Sequence, residues 1–556
     1  MNNGRIYTPE PVAEFLANWA IQSPQDRVLD LGTGPGVFVF QAHNRLQALG
    51  CDAHDASQQI YGAEIDDEAW SDFSLLATSR GVSFPNISKG DFFKTTLTSV
   101  DAVIGNPPYV RRYELNNVDT IRQSVLADED DRNNVSRLTD LYVYFLLRSI
   151  QFLRQEGRLA VITADSWLNV GYGKILKQRL LEEFTIERLI SIDRPVFDDA
   201  QVKPVLLLAT KAHTKERWHC KFIRVKNGLR FDDLPRHLHR ETAHKDIQQI
   251  FVPNKLLVPE SIWSIHFKAP ELYDDITAHS LFTPLSKIAR AQIGHQTLAK
   301  AFFVLTSDMA RALNIEDRFL APLAQSSQYH DYPVISKECE VRFYLFYCSE
   351  SKEKLTGTHA LQYIEAGETE TVPIRGKGRK VVGYHKKPRI QKASRQNWYD
   401  LRTRLEARGR AEILIPRLVY RDFAVYWNRA QYVPGELFIE FVPHETIDPR
   451  VYLAILNSTV AEVLFRCHAQ VYGGGTYNMN SGEIKGMPII DAFRLNDKQR
   501  CMLAQSYEHF IQDPKSGRRS IDSVVSRILE FDQDMMQKVE ETRRDLVEIA
   551  TATKLK

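Results

Sequence analysis

Residues 28–36 read Val28-Leu29-Asp30-Leu31-Gly32-Thr33-Gly34-Pro35-Gly36. A short apolar run that ends on an acid and passes into alternating glycines is a buried strand turning sharply into a helix. The helix is expected over 37–49. Outward from this turn the rhythm repeats: strand 60–64, helix 67–80, strand 101–105, helix 141–153, strand 157–162, helix 174–183, strands 186–192 and 205–209. Strands alternating with helices predict an α/β domain over 1–245 built on a parallel, doubly wound sheet. The polar stretch 111–139 breaks the rhythm and reads as a long mobile loop.

Beyond residue 245 the texture changes. Short strand-like runs such as 343–347 and 413–415 lack regular alternation, so 246–495 is expected to be an α+β domain. Helical periodicity returns over 496–556, broken near 514–517, as a C-terminal helical tail. No internal repeat or low-complexity linker is visible.

Composition narrows the classes. Of 556 residues, 43% are apolar and 26% charged, which excludes wholesale disorder. No run of 18 apolar residues is present, and the start Met1-Asn2-Asn3-Gly4-Arg5 is unlike a signal peptide. Six scattered cysteines with no CxxC pair argue against a disulfide scaffold or a cysteine zinc site, and the cytoplasm is the expected compartment. No metal is expected.

The net charge of +2 conceals an uneven distribution. Residues 1–250 carry 30 Lys+Arg against 33 Asp+Glu, and the remainder 42 against 37. Residues 371–430 alone hold 16 cations and four acids, interleaved with Tyr384, Trp398, Tyr399, Tyr420, Phe423, Tyr426 and Trp427. A solvated basic face is the plain reading. The near absence of acids favours a polyanion, gaining counterion release from the cations and stacking from the rings. The candidate contacts are Arg375, Lys377, Arg379, Lys380, Lys386, Lys387, Trp398 and Arg421.

The glycine turn alone is common to nucleotide, flavin and methyl-donor sites. No lysine follows it, so a P-loop is excluded. Glu64, ending the second strand, is placed to accept from two ribose hydroxyls. Asp91, in Gly90-Asp91-Phe92-Phe93, could accept from an adenine amino group with Phe92 against the ring. In this order the three features favour S-adenosylmethionine over a dinucleotide, whose ribose acid would stand about 20 residues on.

Asn106-Pro107-Pro108-Tyr109 closes the strand 101–105. Paired prolines stiffen the loop and hold Asn106 extended. The Asn106 side-chain oxygen and the Pro107 carbonyl can accept from one planar amino group. Such acceptance draws its nitrogen towards sp³ character as a methyl group arrives and favours the transition state. Tyr109 offers a stacking face. Alone, the tetrapeptide could be a rigid turn with a core tyrosine.

In this motif order the chain resembles the gamma-class adenine-N6 DNA methyltransferases of restriction–modification systems (TaqI-type). The resemblance implies a Rossmann-like S-adenosylmethionine-dependent methyltransferase domain, then a target-recognition domain. Tyr7 and Thr8 look like the motif closing over the donor's methionine end. Asp30, Gly32, Gly34 and Gly36 match its loop, Glu64 and Ile65 the ribose site, Asp91 and Phe92 the adenine site; Asn106 and Pro108 border it. Asp140-Leu141-Tyr142 matches the helix start behind the catalytic loop, and Phe197, in Pro195-Val196-Phe197, would face Tyr109 across a flipped base. The sequence Tyr472-Gly473-Gly474-Gly475-Thr476-Tyr477-Asn478 resembles the end of a TaqI-like specificity domain, adding Tyr472 and Tyr477 to the DNA contacts.

The implied partners are double-stranded DNA and a cognate restriction endonuclease that acts on the same site without a stable complex. No membrane partner and a monomeric, bacterial or archaeal protein are expected. The donor motif begins near residue 5, so no nuclease is expected ahead of it. Three alternatives stand beside this reading: methylation of an RNA base or protein glutamine amide, a donor-binding regulator without catalysis, and a subunit awaiting a separate specificity protein.

Overall fold

The structure is a computed structural model. It describes residues 8–552 except 110–117, 127–138, 170, 172, 194–195, 197–202, 213–217, 227–228, 230–232, 234–235, 238–243, 326–332, 339, 375–377, 394 and 473–474. The chain divides into two units: residues 1–271 with 470–475 and 548–556, and residues 272–469 with 476–547. No helix among the described residues is long and apolar enough to cross a membrane.

The first unit is built on a nine-stranded sheet. Its strands are β1 (Val28–Asp30), β2 (Ile60–Glu64), β3 (Ile87–Lys89), β4 (Val100–Gly105), β5 (Leu153–Ala164), β6 (Phe184–Ile192), β7 (Pro204–Lys211), β8 (His219–Val225) and β9 (Ile247–Pro253), in spatial order β3-β2-β1-β4-β5-β7-β6-β8-β9. Successive side chains alternate between two buried faces. Leu29, Val103, Leu159, Val161 and Leu207 face the core that includes helices Leu141–Phe152 and Lys174–Glu183. Val28, Ala102, Ile104, Ala160, Ile162 and Leu208 face the one that includes helices Glu10–Ala20 and Val37–Ala48. With both faces covered, the strands read as apolar runs rather than as alternation.

The sheet corrects the expectation of a parallel array. The pairs β3–β2, β2–β1, β1–β4 and β4–β5 are parallel, but β7 runs antiparallel between β5 and β6, and β9 is antiparallel to β8. A fully buried run such as 205–209 carries no mark of its direction. The stretch read as a loop also contains a helix, Val118–Val125, which buries Ile121 and Val125. Of the rest of that stretch, 111–117 and 127–138 lie outside the described residues.

The second unit combines small sheets with helices. One sheet joins 289–293, 438–443, 413–416 and 426–427, and another joins 304–306, 343–346, 320–324 and 433–434. Helices Asp497–Gln512 and Pro514–Ile528 pack in this same unit. The helical break falls at Asp513, whose carboxylate caps the next helix, with Pro514 in its first turn.

Beyond β6, Asp193 is buried between two cations, Arg224 Nε at 2.7 Å and Lys203 Nζ at 3.2 Å. Burial alone would raise this carboxyl. Lys203 and Arg224 outweigh that and hold it below the usual carboxylate range. Replacing Asp193 with Ala strands two buried cations and is expected to cost about 3–5 kcal/mol by urea denaturation near pH 7. The folded pKa lies below the ordinary 3.8. The contribution is therefore present at neutral pH and lost as pH falls below about 4, so wild type and variant should converge in strong acid.

Candidate active site

Two neighbouring strands bring the site together. β1 and β4 pair in register, Asp30 opposite Ile104, and Leu31 N–H donates to the Ile104 carbonyl at 3.0 Å. Strand order reverses here: from β1 the chain crosses to β2 on one side, while β4 lies on the other. In open α/β sheets the crevice at such a switch, at the carboxyl ends of the strands, is where ligands bind. The glycine turn and Asn106 both leave from that end. Gly105 makes the approach possible: its φ is +138°, and a Cβ there would stand 2.7 Å from Asp30 Oδ1. Gly36, with φ +95°, sits at the N-cap of the helix Val37–Ala48, where a Cβ would strike Phe73 at 2.6 Å.

Around this turn the expected donor residues gather. Glu64 accepts from Gly34 N–H and Asp66 N–H, both at 2.8 Å, fixing its carboxylate against the glycine loop. Ile65, next along, is 70% exposed, an apolar side chain in need of cover. Asp91 caps the short turn Phe92–Lys94, accepting from Phe93 N–H at 3.0 Å, and Gly90 N–H donates to the Glu64 carbonyl. A Cβ on Gly32 would lie 3.9 Å from Pro108, so the glycine loop abuts the proline pair. Thr8 is buried, and its hydroxyl accepts from Asn106 Nδ2 at 3.1 Å across 98 positions of sequence.

The structure places other residues differently. Phe92 is 3% exposed and stacks on Phe145 at 4.8 Å, so its ring belongs to the core and does not present a face to a ligand. Ile65 is the apolar group left available. Tyr109 packs edge-to-face on Tyr142 at 5.9 Å and its hydroxyl donates to the Ile162 carbonyl at 3.4 Å. Burial pushes the Tyr109 phenol well up. The Tyr142 hydroxyl is within 2.9 Å of Ser166 Oγ, so a chain of contacts locates Tyr109 from behind. Sequence reading marked the segment of Tyr142 but not this role, which needs the packing of the helix Leu141–Phe152 on the sheet. Tyr7 and Phe197 lie outside the described residues.

The pocket fits a polar ligand. Asp30 Oδ2 and Thr33 Oγ1 are buried without a hydrogen-bond partner among the described residues, beside the glycine loop. Hydroxyl or amino donors of a ligand would satisfy them. Burial pushes the Asp30 carboxyl up to about 7, opposed by the Gly32 N–H and reinforced by the charge of Glu64.

Of the expected DNA contacts, Arg379, Lys380, Lys386 and Arg421 are exposed, with Arg379 and Lys380 at the hairpin 371–373/380–382. Lys387 is half-buried and donates to the Pro373 carbonyl at 3.0 Å. Tyr472 is 48% exposed. Arg375 and Lys377 fall outside the described residues. Two contacts are corrected. Tyr477 is fully buried, donating to the Leu546 carbonyl at 2.7 Å. Trp398 is packed on Phe302 at 4.6 Å with its indole N–H on Glu368. Tyr384, Tyr399, Phe423 and Tyr426 are core residues and serve packing, whereas Trp398, Tyr420 and Trp427 are half-buried.

Comparison with known proteins agrees with this geometry. Residues 1–256 match the family model described as N-6 DNA Methylase, and residues 263–528 that of the Type II methyltransferase M.Eco57I C-terminal domain. Type II methyltransferase M.AccI of Acinetobacter calcoaceticus is 24% identical over 94% of this chain and 92% of its own length. M.XamI of Xanthomonas campestris pv. amaranthicola is 27% identical over 32% of this chain and 33% of its own. Among solved structures, the Type IIL restriction-modification enzyme MmeI in complex with DNA shares the fold. Its TM-score is 0.60 at 10% identity, over 97% of this chain and 75% of that one.

The raised Asp30 pKa makes a test. A carboxyl whose pKa rises from 3.8 to about 7 on folding takes up protons, so it costs stability as pH climbs through that window. At about 1.36 kcal/mol per unit, Asp30→Asn should stabilise the ligand-free protein by a few kcal/mol at pH 8 and by little near pH 4. Parallel stability–pH profiles for the two proteins would contradict the assignment.

Proposed function

We propose that this chain, an S-adenosylmethionine-dependent, adenine-specific DNA methyltransferase of a restriction–modification system, transfers the methyl group to N6 of an adenine turned out of a specific duplex sequence. The observation that carries the reading is the hydrogen bond from Asn106 to Thr8. It joins the segment expected over the donor to the residue expected on the acceptor, beside the glycine loop. S-adenosylmethionine, when bound, supplies an electrophilic methyl carbon on a sulfonium. Asp30, the 32–36 loop, Glu64, Ile65, Asp91 and Thr8 are the residues assigned to hold it.

The acceptor chemistry falls to the stiff loop. The adenine N6 lone pair is delocalised into the ring and is a poor nucleophile. Hydrogen bonds accepted from its two N–H groups by the Asn106 oxygen and the Pro107 carbonyl localise that pair as the bond to carbon forms, and one of the two protons is then lost to solvent. Interactions that strengthen only along the reaction lower the barrier. Tyr109, seated on Tyr142, provides one face for a base that loses duplex stacking on leaving the helix, and Phe197 is assigned to the other. The second unit reads the site, and the enzyme works as a monomer. Its counterpart is an endonuclease of the same specificity that forms no stable complex with it.

Transfer of tritium from labelled donor to duplex DNA tests this. Asn106→Ala is expected to lower kcat by about 10²–10³, the scale of losing one transition-state hydrogen-bonding group, with donor affinity changed less than tenfold. Tyr109→Ala is expected to weaken turnover while leaving donor binding intact. Label on RNA or protein, and none on adenine of duplex DNA, would contradict the reading.

A further inference from the structure

The second unit contains a cleft of about 930 Å³ that the catalytic reading does not use. Its walls come from the loop 420–424, the helix Thr459–His468 and the helices Pro514–Ile528 and Gln533–Ala552. The acids in these walls are mostly consumed. Glu462 is 1% exposed and pairs with the fully buried Arg466 at 2.7 Å and with Arg518. Asp522 accepts from Thr459 N–H at 2.7 Å and from its hydroxyl at 2.6 Å, and Glu540 is held by Arg543 and Arg544. Three cations at the cleft, Arg421, Lys515 and Arg519, are exposed and make no side-chain ion pair among the described residues. Asp422 and Asp513 are exposed acids beside them, and the Asp513 carboxylate is engaged by Lys515 N–H at 3.0 Å and the Ser516 hydroxyl at 2.7 Å.

The buried network has a further effect. Arg466 donates to the carbonyls of Tyr420 at 3.1 Å and Arg421 at 2.7 Å, and Arg518 donates to that of Phe423. Glu462 thus orients two guanidiniums that together grip three carbonyls of one four-residue segment. A buried arginine–carboxylate group is expensive to desolvate and a weak source of net stability. Here it fixes the backbone from which Arg421 projects. The result is a preorganised cationic surface whose negative partners have been drawn inside.

We infer that this cleft is a nucleic-acid backbone site, in which Arg421, Lys515 and Arg519 contact phosphates of the duplex that carries the target adenine. The inference rests on the reading of the chain as a duplex-DNA methyltransferase. Phosphate contacts fix register and orientation without reading bases, so the site acts on any sequence. It lies apart in sequence from the basic hairpin at 371–382.

Binding of a 30-base-pair duplex by fluorescence anisotropy across a potassium chloride series tests it. The slope of log Kobs against log salt changes by about 0.9 per phosphate contact. The triple variant Arg421→Glu, Lys515→Glu, Arg519→Glu should lower that slope by about 2–3 and weaken binding at least tenfold at low salt. S-adenosylmethionine affinity should not change. A charge-matched control, Lys498→Glu, Arg527→Glu, Lys538→Glu, alters exposed positions on the helices Asp497–Gln512, Pro514–Ile528 and Gln533–Ala552 that do not line the cleft and should retain most of the slope. If wild type binds duplex and the cleft triple keeps its slope, or both triples fall equally, the site is overturned and the enzyme reading stands. If wild type binds no duplex while binding the donor, the enzyme reading fails and takes the site with it.

Discussion

Parallel pairing of β1 with β4 is the constraint on which the catalytic unit depends. The bond from Leu31 N–H to the Ile104 carbonyl lies where both strands end, so the glycine turn and the Asn106 loop must leave side by side. Nothing larger than hydrogen fits at Gly105, because a Cβ would meet Asp30 and Leu31. Once the strands are this close, Pro108 lies against Gly32, and Thr8 comes within hydrogen-bond distance of Asn106. The site is therefore a consequence of strand register, and the stiffness of the two prolines keeps it from relaxing.

The cost of this arrangement appears at Asp30. Its buried carboxyl has one oxygen without a partner among the described residues and a pKa pushed up to about 7. A fold selected for stability alone would not place a carboxyl there. A ligand presenting hydroxyl or amino donors would satisfy that oxygen, which would couple ligand binding to folding at this one residue. The second unit shows a comparable investment: Glu462 and Arg466 are buried together to hold the segment 420–423.

Much of the catalytic unit was legible in the sequence because buried parallel strands and glycine turns leave strong local marks. Strand Ile60–Glu64 and helix Lys174–Glu183 begin and end where the periodicity places them. The reversed direction of β7 was not legible, since five buried apolar residues look the same in either orientation. The helix Val118–Val125 was hidden in a polar stretch by its few apolar residues. Among the candidate site residues, the cradle of Asp30, Glu64 and Asn106 follows from motif order. The seating of Tyr109 on Tyr142 required tertiary packing. Charge counting picked out Arg379, Lys380 and Arg421, which are exposed, together with the half-buried Trp398, because a linear window cannot separate a surface cation from a packed ring beside it; Tyr477, taken from the motif resemblance, is buried. The cations Lys515 and Arg519 escaped for the converse reason: their region is balanced in sequence, and only folding engages the cleft acids Asp522 and Glu540 with Thr459, Arg543 and Arg544.

The central claim is that a planar amino group of a duplex base is methylated through Asn106. Single-molecule sequencing of DNA from a host expressing the chain measures this most directly, because it reports the modified base and its context together. The expected result is N6-methyladenine confined to one recurring sequence, and its absence from a host expressing Asn106→Ala. Modification of cytosine, or methyladenine that persists unchanged in the Asn106→Ala host, would contradict the account.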